Sequence, residues 1–231
     1  MATQYSPKIV TDGLVLALDA GNTKSYPGTG TGWKDLTNRG NNGTIGSGLT
    51  YSSGSINFTL NSSNQLVTIP NSADLNYNYL NWCYSLWIKV NFDDNGTWTQ
   101  LFVKGDGNAE RRPGIWFYSD QTSRFHCTWG ASGQGQIELN TSDPLTPPIG
   151  VWANYIFQSR NGVMMVFKNG VQDSVTANLT DRNTNSLPLY IGGLNFRSPG
   201  MDLANVLVYN RSLSNEEILQ NYNATRGRFG L

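Results

Sequence analysis

The chain has 231 residues, and its 16 lysines and arginines balance its 16 aspartates and glutamates, so the formal net charge is zero. Proteins that bind nucleic acid through phosphate contacts need clustered basic residues, and we therefore expect no nucleic-acid partner. No run of about 18 apolar residues occurs, so the sequence predicts no membrane insertion. Hydrophobic residues make up 38% and aromatic residues 12% of the chain, which is enough apolar mass for a folded domain.

The N-terminal segment and the cysteines bear on the compartment in which the protein folds. Residues 1–8 lack the charged start, apolar run and small-residue cleavage site of a signal peptide, so we expect folding in a cytoplasm. The chain has two cysteines, Cys83 and Cys127, which are too few for the disulfide framework of a secreted domain. The sequence leaves open whether these two cysteines pair.

The first third of the chain predicts short strands separated by turn residues. A nearly continuous apolar run over residues 9–19 predicts an opening strand that is covered on both faces. Residues 20–54 are mostly Gly, Asn, Thr and Ser, and predict a long loop anchored by Trp33 and Leu36. Two alternating segments then predict further strands, at residues 55–60 and 65–69.

The strongest strand prediction covers residues 82–90. With a period of two, one face carries large apolar side chains that suit the core of a sandwich, namely Trp82, Tyr84, Leu86, Ile88 and Val90. The opposite face carries Cys83, Ser85, Trp87 and Lys89. The segment Asp93-Asp94-Asn95-Gly96 then predicts a turn, because Asn-Gly tolerates positive φ.

The second half of the chain continues the series of strands and ends in a helix. Seven segments predict strands, at residues 101–103, 115–118, 124–129, 151–157, 162–167, 187–191 and 201–209. Asn169-Gly170 predicts a two-residue type I′ hairpin turn. Ser214, with Glu217 three residues later, predicts a capping box at the start of a short helix.

These elements together predict the fold class. No linker or break in composition divides the chain, so we expect one domain over residues 1–231, with residues 222–231 as a C-terminal tail. More than ten short strands and one terminal helix predict an all-β fold. Its expected form is a single β-sandwich.

Four motifs occur along the chain in a fixed order. They read DGLVLALDAGN at residues 12–22, WKDLTNRGNNGT at 33–44, GVWA at 150–153 followed by FKNG at 167–170, and VYNRSLSNEEI at 208–218. As an ordered set they resemble the concanavalin A-like jelly-roll superfamily in its laminin-G-like branch. Thr37 and Asn38 depart from the Ser-Gly of the family loop. The resemblance covers nearly the whole chain and implies a concanavalin A-like fold, which is a two-sheet antiparallel jelly-roll sandwich, here with one short C-terminal helix.

The last residues carry a narrower resemblance. Residues 219–231 are similar to the C-terminal ending of laminin-G-like structural proteins from tailed bacteriophages, especially those of cyanobacteria. This resemblance implies a virion component assembled in the host cytoplasm, such as a head-decoration, fibre or tail-associated module. Its implied partners are other virion proteins and copies of itself, with host surface glycan as a further candidate.

Two segments are the candidates for contact with neighbouring subunits. They are the long loop at residues 20–54 and the C-terminal tail at residues 222–231. In the tail, Arg226, Arg228 and Phe229 supply two charges and an aromatic ring that the strand pattern does not require. The position within a particle and the oligomeric state are left open by the sequence.

Enzymatic activity is not expected. Glycosidases occur on this fold and normally need two opposed carboxylates, which share a strand face at a spacing of i and i+2. No two acidic residues of this chain have that spacing, and the Glu-x-Asp-x-x-Glu pattern of the related β-glucanases is absent. His126 is the only histidine, and the adjacent Cys127 projects to the opposite strand face. We therefore expect neither a histidine metal cluster nor a local Cys–His dyad.

Calcium is the one metal that the resemblance brings into consideration. Relatives with this fold often bind Ca²⁺ through aspartate side chains and backbone carbonyls. Asp19, Asn22 and Asp35 lie in predicted loops where such ligands could gather, and they are weak candidates. The closing strand of the family often carries an aspartate where this chain has Asn205, which removes a charge. We therefore expect no cofactor, with Ca²⁺ as the weak alternative.

Glycan binding is the function that the side-chain composition favours. Sugar sites combine an aromatic platform with amide and hydroxyl partners, and the candidate platform residues are Trp87, Trp98, Trp116, Tyr118 and Trp129. Strand aromatics also fill sandwich cores, and the sequence leaves open which rings are exposed.

We expect a non-enzymatic virion structural protein. The alternative is a lectin-like carbohydrate-binding module whose main role is glycan recognition.

Overall fold

The structure is a computed structural model that describes residues 7–60, 62, 65–91, 96–118, 124–131, 134–142, 148–180 and 185–231. Residues 1–6, in the segment without signal-peptide features, lie outside the described residues, as do Asp93, Asp94 and Asn95 of the predicted turn. Within the described ranges, no helix is both long enough and apolar enough to cross a membrane.

Sixteen strands and one α-helix occur in the described part of the chain. In chain order the strands are β1 (Leu14–Asp19), β2 (Gly32–Trp33), β3 (Gly43–Ile45), β4 (Thr50–Ser52), β5 (Ser55–Phe58), β6 (Leu66–Ile69), β7 (Asn81–Val90), β8 (Thr99–Gly105), β9 (Glu110–Phe117), β10 (Phe125–Ala131), β11 (Gln134–Asn140), β12 (Trp152–Arg160), β13 (Val163–Lys168), β14 (Val171–Asn178), β15 (Leu189–Gly192) and β16 (Met201–Tyr209). The helix α1 (Asn215–Thr225) follows, and 3₁₀ turns cover Ala73–Leu75 and Arg226–Phe229.

Two antiparallel sheets form the sandwich. The first sheet has the order β14-β13-β12-β7-β16-β5-β4, and β1 also pairs with β16. The second sheet has the order β11-β10-β9-β8-β15-β6-β3-β2. Consecutive strands cross between the sheets from β5 to β8, as jelly rolls require. The predicted all-β sandwich with a short C-terminal helix is confirmed.

The loop predicted over residues 20–54 is more regular than the sequence indicated. It contains the short strands β2, β3 and β4, which pair with other strands and so satisfy backbone polar groups. Trp33 is fully buried, as predicted for an anchor, and Leu36 is partly buried. The loop is therefore part of the sandwich rather than a free surface segment.

The core between the sheets follows the alternation predicted for β7. All five side chains of the predicted core face are at most 1% exposed. Trp82 of β7 stacks on Trp129 of β10, with ring centroids 5.5 Å apart and planes inclined by 7°. Because these two strands belong to opposite sheets, this stacked pair joins the two layers.

The outer face of the first sheet is covered by α1 and the segment that leads into it. Cys83, Phe167 and Ile218 belong to a second buried cluster at this interface. The helix begins with the predicted capping box, in which the Glu217 amide donates to Ser214 Oγ at 3.3 Å. The Ser214 amide donates to the Glu217 carboxylate at 2.9 Å in return. The predicted helix start is confirmed.

Two further sequence features find their place in the fold. Asn169 and Gly170 both have positive φ, 52° and 84°, as the predicted type I′ turn between β13 and β14 requires. Cys83 and Cys127 are buried free thiols in different clusters, one under the helix and one between the sheets. The two cysteines do not form a disulfide in the structure, because they lie on opposite sides of the first sheet.

Candidate functional site

A row of polar and aromatic side chains crosses the outer face of the second sheet. Gln100 of β8 is in register with Trp116 of β9, which is in register with His126 of β10, which is in register with Asn140 of β11. Residues in register across antiparallel strands share a face, so these four form one line. The core face of the same strands carries Ile115, Phe117 and Phe125.

Two half-buried rings lie at one end of this row. Trp98 immediately precedes β8, Tyr118 immediately follows β9, and their ring centroids are 4.5 Å apart. The His126 ring is 4.9 Å from Trp98 and 5.7 Å from Tyr118. We call Trp98, Tyr118 and His126 the aromatic patch. The Arg124 guanidinium lies 5.8 Å from the Tyr118 centroid, so a cation borders the patch.

His126 holds the patch in a fixed orientation. It is 6% exposed, and its Nδ1 is 2.8 Å from Asn140 Oδ1. Because a hydrogen bond at this atom fixes the plane of the imidazole ring, the edge that meets Trp98 and Tyr118 is also fixed. The patch is therefore a preformed surface built on paired strands.

The same row contains polar atoms that lack partners. Gln100 is fully buried, and its Nε2 donates to the Gly192 carbonyl at 2.8 Å. Within the described part of the chain, neither Gln100 Oε1 nor Trp116 Nε1 has a hydrogen-bond partner. Buried polar atoms are normally paired, with protein or with an ordered water or ligand. Both atoms are buried, so they lie beneath the surface that the row presents.

Three of the five predicted platform residues offer no surface to a ligand. Trp87, Trp116 and Trp129 are each 1% exposed. Trp129 is in the core, and Trp116 is covered by the Arg111 guanidinium at 4.7 Å and by the Phe196 ring at 5.7 Å. Among the predicted residues, Trp98 and Tyr118 retain exposed ring surface, so the platform is smaller than the sequence indicated.

The C-terminal tail, residues 222–231, covers Trp87. Phe229 stacks on the Trp87 ring at 4.1 Å and lies 4.9 Å from the Trp152 ring. Arg228 donates to the Asp19 carboxylate at 2.6 Å and to the Gly54 carbonyl at 2.8 Å. Residues 222–225 belong to the last turn of α1. Two of the residues predicted for partner contact, Arg228 and Phe229, thus contact their own chain.

The third predicted tail residue, Arg226, has a different place. Arg226 is exposed, and its guanidinium lies 5.8 Å from the Tyr222 ring. A cation over a ring at this distance is a weak surface contact. Arg226 therefore remains the tail residue that is best placed to meet another molecule.

The residues predicted as weak calcium candidates form contacts within their own chain. The Asp35 carboxylate is 3% exposed and already accepts four hydrogen bonds, from the amides of Ala17, Thr37 and Asn41 and from the Thr37 hydroxyl. Asp19 is paired with Arg228, and Asn22 Oδ1 accepts the Lys24 amide at 3.0 Å. No group of three acidic, histidine or cysteine side chains in the described residues could hold a metal ion. These side chains stabilise the loop after β1.

Family membership follows from comparison with known proteins. A family model described as "Concanavalin A-like lectin/glucanases superfamily" matches residues 60–219. The chain belongs to this superfamily. The match includes β6 to β16 and therefore all strands that carry the row and the aromatic patch. No curated protein matches the chain.

Solved structures show the same fold at low sequence identity. The binding domain of Paraclostridial Mosquitocidal Protein 1 matches with a TM-score of 0.72 and 16% identity, over 93% of this chain and 52% of that one. Trypanosoma rangeli sialidase in complex with sialic acid matches with a TM-score of 0.70 and 16% identity, over 97% of this chain and 36% of that one. The botulinum neurotoxin serotype D binding domain matches with a TM-score of 0.69 and 14% identity, over 94% of this chain and 53% of that one. The chain spans about half of these proteins or less.

Sequence reasoning missed part of the site in this concanavalin A-like chain. It considered His126 as a metal ligand or a partner of Cys127, and did not single out Gln100 or Asn140. The signal that could have found them is register, since Gln100, Trp116, His126 and Asn140 become one row only when β8 to β11 are paired. A single sequence does not contain that pairing.

Proposed function

We propose that this superfamily member is a non-enzymatic carbohydrate-binding module that uses the aromatic patch. The observation that carries the proposal is the pair of half-buried rings, Trp98 and Tyr118, 4.5 Å apart beside His126. The C–H faces of a sugar pack on aromatic rings, while its hydroxyls need a few precisely placed polar groups. A ring pair held on paired strands meets both needs without reorganisation.

The polar groups near the patch suit hydroxyls. Asn140 is exposed and in register with His126, so it places a polar side chain at the surface beside the patch. A sugar hydroxyl both donates and accepts hydrogen bonds, so it matches the amide group of Asn140. The structural relatives support this proposal, since two are binding domains and one is a sialidase holding sialic acid.

The absence of hydrolysis is part of the proposal. Glycoside hydrolysis needs two carboxylates placed on either side of the scissile bond. Three of the described carboxylates are engaged in ion pairs within the chain. Asp19 pairs with Arg228, Asp202 pairs with Lys89 at 2.6 Å, and Glu217 pairs with Arg211 at 2.7 Å. These contacts support a role in binding rather than in catalysis.

A glycan array followed by calorimetry tests the function. Trp98→Ala and Tyr118→Ala are each expected to weaken binding of any array hit by about two- to tenfold, because stacking on one ring contributes about 0.5–1.5 kcal/mol. Tyr51→Ala is the matched control, since Tyr51 is a 37% exposed tyrosine on β4 of the other sheet. Array silence, or affinity unchanged by both patch variants, would overturn the proposal. Hydrolysis of a bound glycan would overturn its non-enzymatic part.

A structural role in a virion is the second proposal. It is based on the resemblance of residues 219–231 to phage proteins, and the exposed edge of the first sheet supports it. Strand β14 is at the end of that sheet, and Val171 at its start is 70% exposed. Edge strands readily pair with other chains, and a net charge of zero leaves little repulsion between copies. Detection of the protein at a repeating position in a purified particle tests this role, and its absence from particles would refute it.

A further inference from the structure

We infer a second binding site, on the opposite side of the sandwich from the aromatic patch. A cavity of about 460 Å³ lies between the C-terminal tail and the outer face of the first sheet. Its size is within the range of small-molecule sites. The side chains that define it are Asp19, Asn205, Asn223, Thr225, Arg228 and Phe229. We propose that it takes a small neutral polyhydroxyl molecule, such as a polyol or a single sugar residue.

Beneath the tail lies a row of three residues in register, of which Asp19 and Asn205 line this tail cavity and Trp87 lies beside them under Phe229. Asp19 of β1 is opposite Asn205 of β16, and Asn205 is opposite Trp87 of β7. Residues near the C-terminus form hydrogen bonds with the two outer residues of the row, Asp19 and Trp87. Arg228 donates to the Asp19 carboxylate, and Trp87 donates its indole N–H to the Thr225 hydroxyl at 2.8 Å while Phe229 stacks on its ring.

The middle residue of the row is left unsatisfied. Asn205 is 7% exposed, and its Oδ1 has no hydrogen-bond partner within the described part of the chain. A buried amide oxygen normally has a donor. Asn205 lines the tail cavity and an adjoining cavity of about 380 Å³, and we assign the missing donor to a molecule bound in the tail cavity.

The chemistry of the walls selects the ligand class. Acceptors are the Asp19 carboxylate and Asn205 Oδ1, and donors are the amide of Asn223 and the guanidinium of Arg228. Since Arg228 already neutralises Asp19, the cavity has no net charge to attract an ion. Hydroxyl groups both donate and accept, so they match this mixed wall, and Phe229 offers an apolar edge to the C–H groups. A metal cation is disfavoured by the adjacent guanidinium.

This site is independent of the aromatic patch. The two sites are on outer faces of different sheets, with the core of the sandwich between them. Loss of either site therefore need not affect the other. A ligand in the tail cavity touches both the sheet and the tail, so its binding is expected to hold the tail in place.

Two-dimensional ¹H–¹⁵N NMR on the full chain tests the inference with glycerol, myo-inositol and methyl α-D-glucopyranoside as probes. At least one probe is expected to shift the Trp87 indole and Asn205 amide signals in a saturable way. The Trp98 indole signal reports separately on the aromatic patch. Signals are assigned with Trp87→Phe and Trp98→Ala, and Trp98→Ala is expected to leave binding in the tail cavity unchanged.

Substitutions decide whether Asn205 supplies the contact. Asn205→Leu keeps a similar volume but has no acceptor, and is expected to weaken binding by about tenfold or more. Asn205→Asp retains an oxygen acceptor and is expected to bind within a few-fold of the parent. If Asn205→Leu does not fold, Asn223→Ala at a half-exposed wall position takes its place, with the same expected direction. Unshifted Trp87 and Asn205 signals with all three probes, or full affinity in the folded variants, would overturn the inference.

Discussion

Raising the pH above about 9 is expected to destabilise this protein through its two buried thiols. Cys83 and Cys127 are 0% exposed, and burial raises the pKa of both well above the ordinary value of about 8.5. In the unfolded chain, the same thiols lose their protons as the pH passes about 8.5. The folded state then holds more protons than the unfolded state, so the free energy of unfolding falls as the pH rises.

The magnitude follows from the number of groups that titrate. Each thiol lowers the free energy of unfolding by about 1.4 kcal/mol per pH unit above about pH 9. Lys104 opposes this loss, because burial lowers its pKa to about 8 while the unfolded chain keeps the proton to about pH 10.4. Burial also lowers the pKa of Lys168, which acts in the same direction. Burial raises the pKa of Tyr77, Tyr84, Tyr155 and Tyr209, so these tyrosines add to the loss as their unfolded counterparts deprotonate towards about pH 10.

A single substitution isolates the thiol from the opposing lysines. Cys83→Ala removes one titrating group, and the pH-independent cost of the smaller side chain cancels when slopes are compared. The slope of stability against pH is expected to become less negative by about 1.4 kcal/mol per unit. Ser85→Ala is the matched control, since Ser85 is 2% exposed on the same face of β7 and does not titrate. Its slope is expected to equal that of the parent.

Urea denaturation provides the measurement. Unfolding is followed by tryptophan fluorescence from neutral pH to about pH 10, with a reductant present to prevent oxidation of the thiols in the unfolded state. If the parent and Cys83→Ala have equal slopes between about pH 9 and 10, the Cys83 thiol does not stay protonated in the folded state. That result would refute the reasoning from burial to pH dependence.

Three further outcomes are expected. Phe229→Ala should lower the free energy of unfolding by about 1–2 kcal/mol and raise acrylamide quenching of Trp87, and unchanged values of both would contradict tail docking. Asp35→Ala should cost about 2–4 kcal/mol in urea denaturation, because it leaves one amide of β1 and two loop amides without an acceptor, while Asp74→Ala, which breaks a surface ion pair, should cost less than about 1 kcal/mol. A chelator should leave the melting temperature unchanged, and a clear drop would restore calcium as a ligand.

Local patterns predicted the elements of this fold well. The alternation over residues 82–90 placed five core side chains correctly, because a strand projects successive residues to opposite faces wherever it lies. Asn169-Gly170 and the Ser214–Glu217 capping box were likewise confirmed, since each is satisfied by atoms only a few residues apart. These predictions depend on interactions within a single turn or strand.

The candidate sites required contacts between distant parts of the chain. The aromatic patch depends on the pairing of β8, β9 and β10, and its exposed rings could not be separated from buried ones by alternation. Trp116 faces outward, as alternation allows, yet Arg111 and Phe196 cover it. Alternation along a strand predicts which face of the sheet a side chain occupies, but it does not predict which residues cover that face.

The sequence by itself determined an all-β sandwich with a capped C-terminal helix, because strand period, turn residues and caps act over short distances. Only the tertiary structure decided which contacts Asp19, Trp87 and Arg228 make. The sequence had suggested Asp19 for calcium, Trp87 for glycan and Arg228 for a partner protein. Asp19 and Arg228 pair across 209 residues of sequence, and Trp87 and Thr225 across 138. Such contacts form because a folded chain must satisfy its buried charges and polar groups with whatever neighbours the packing of distant elements supplies.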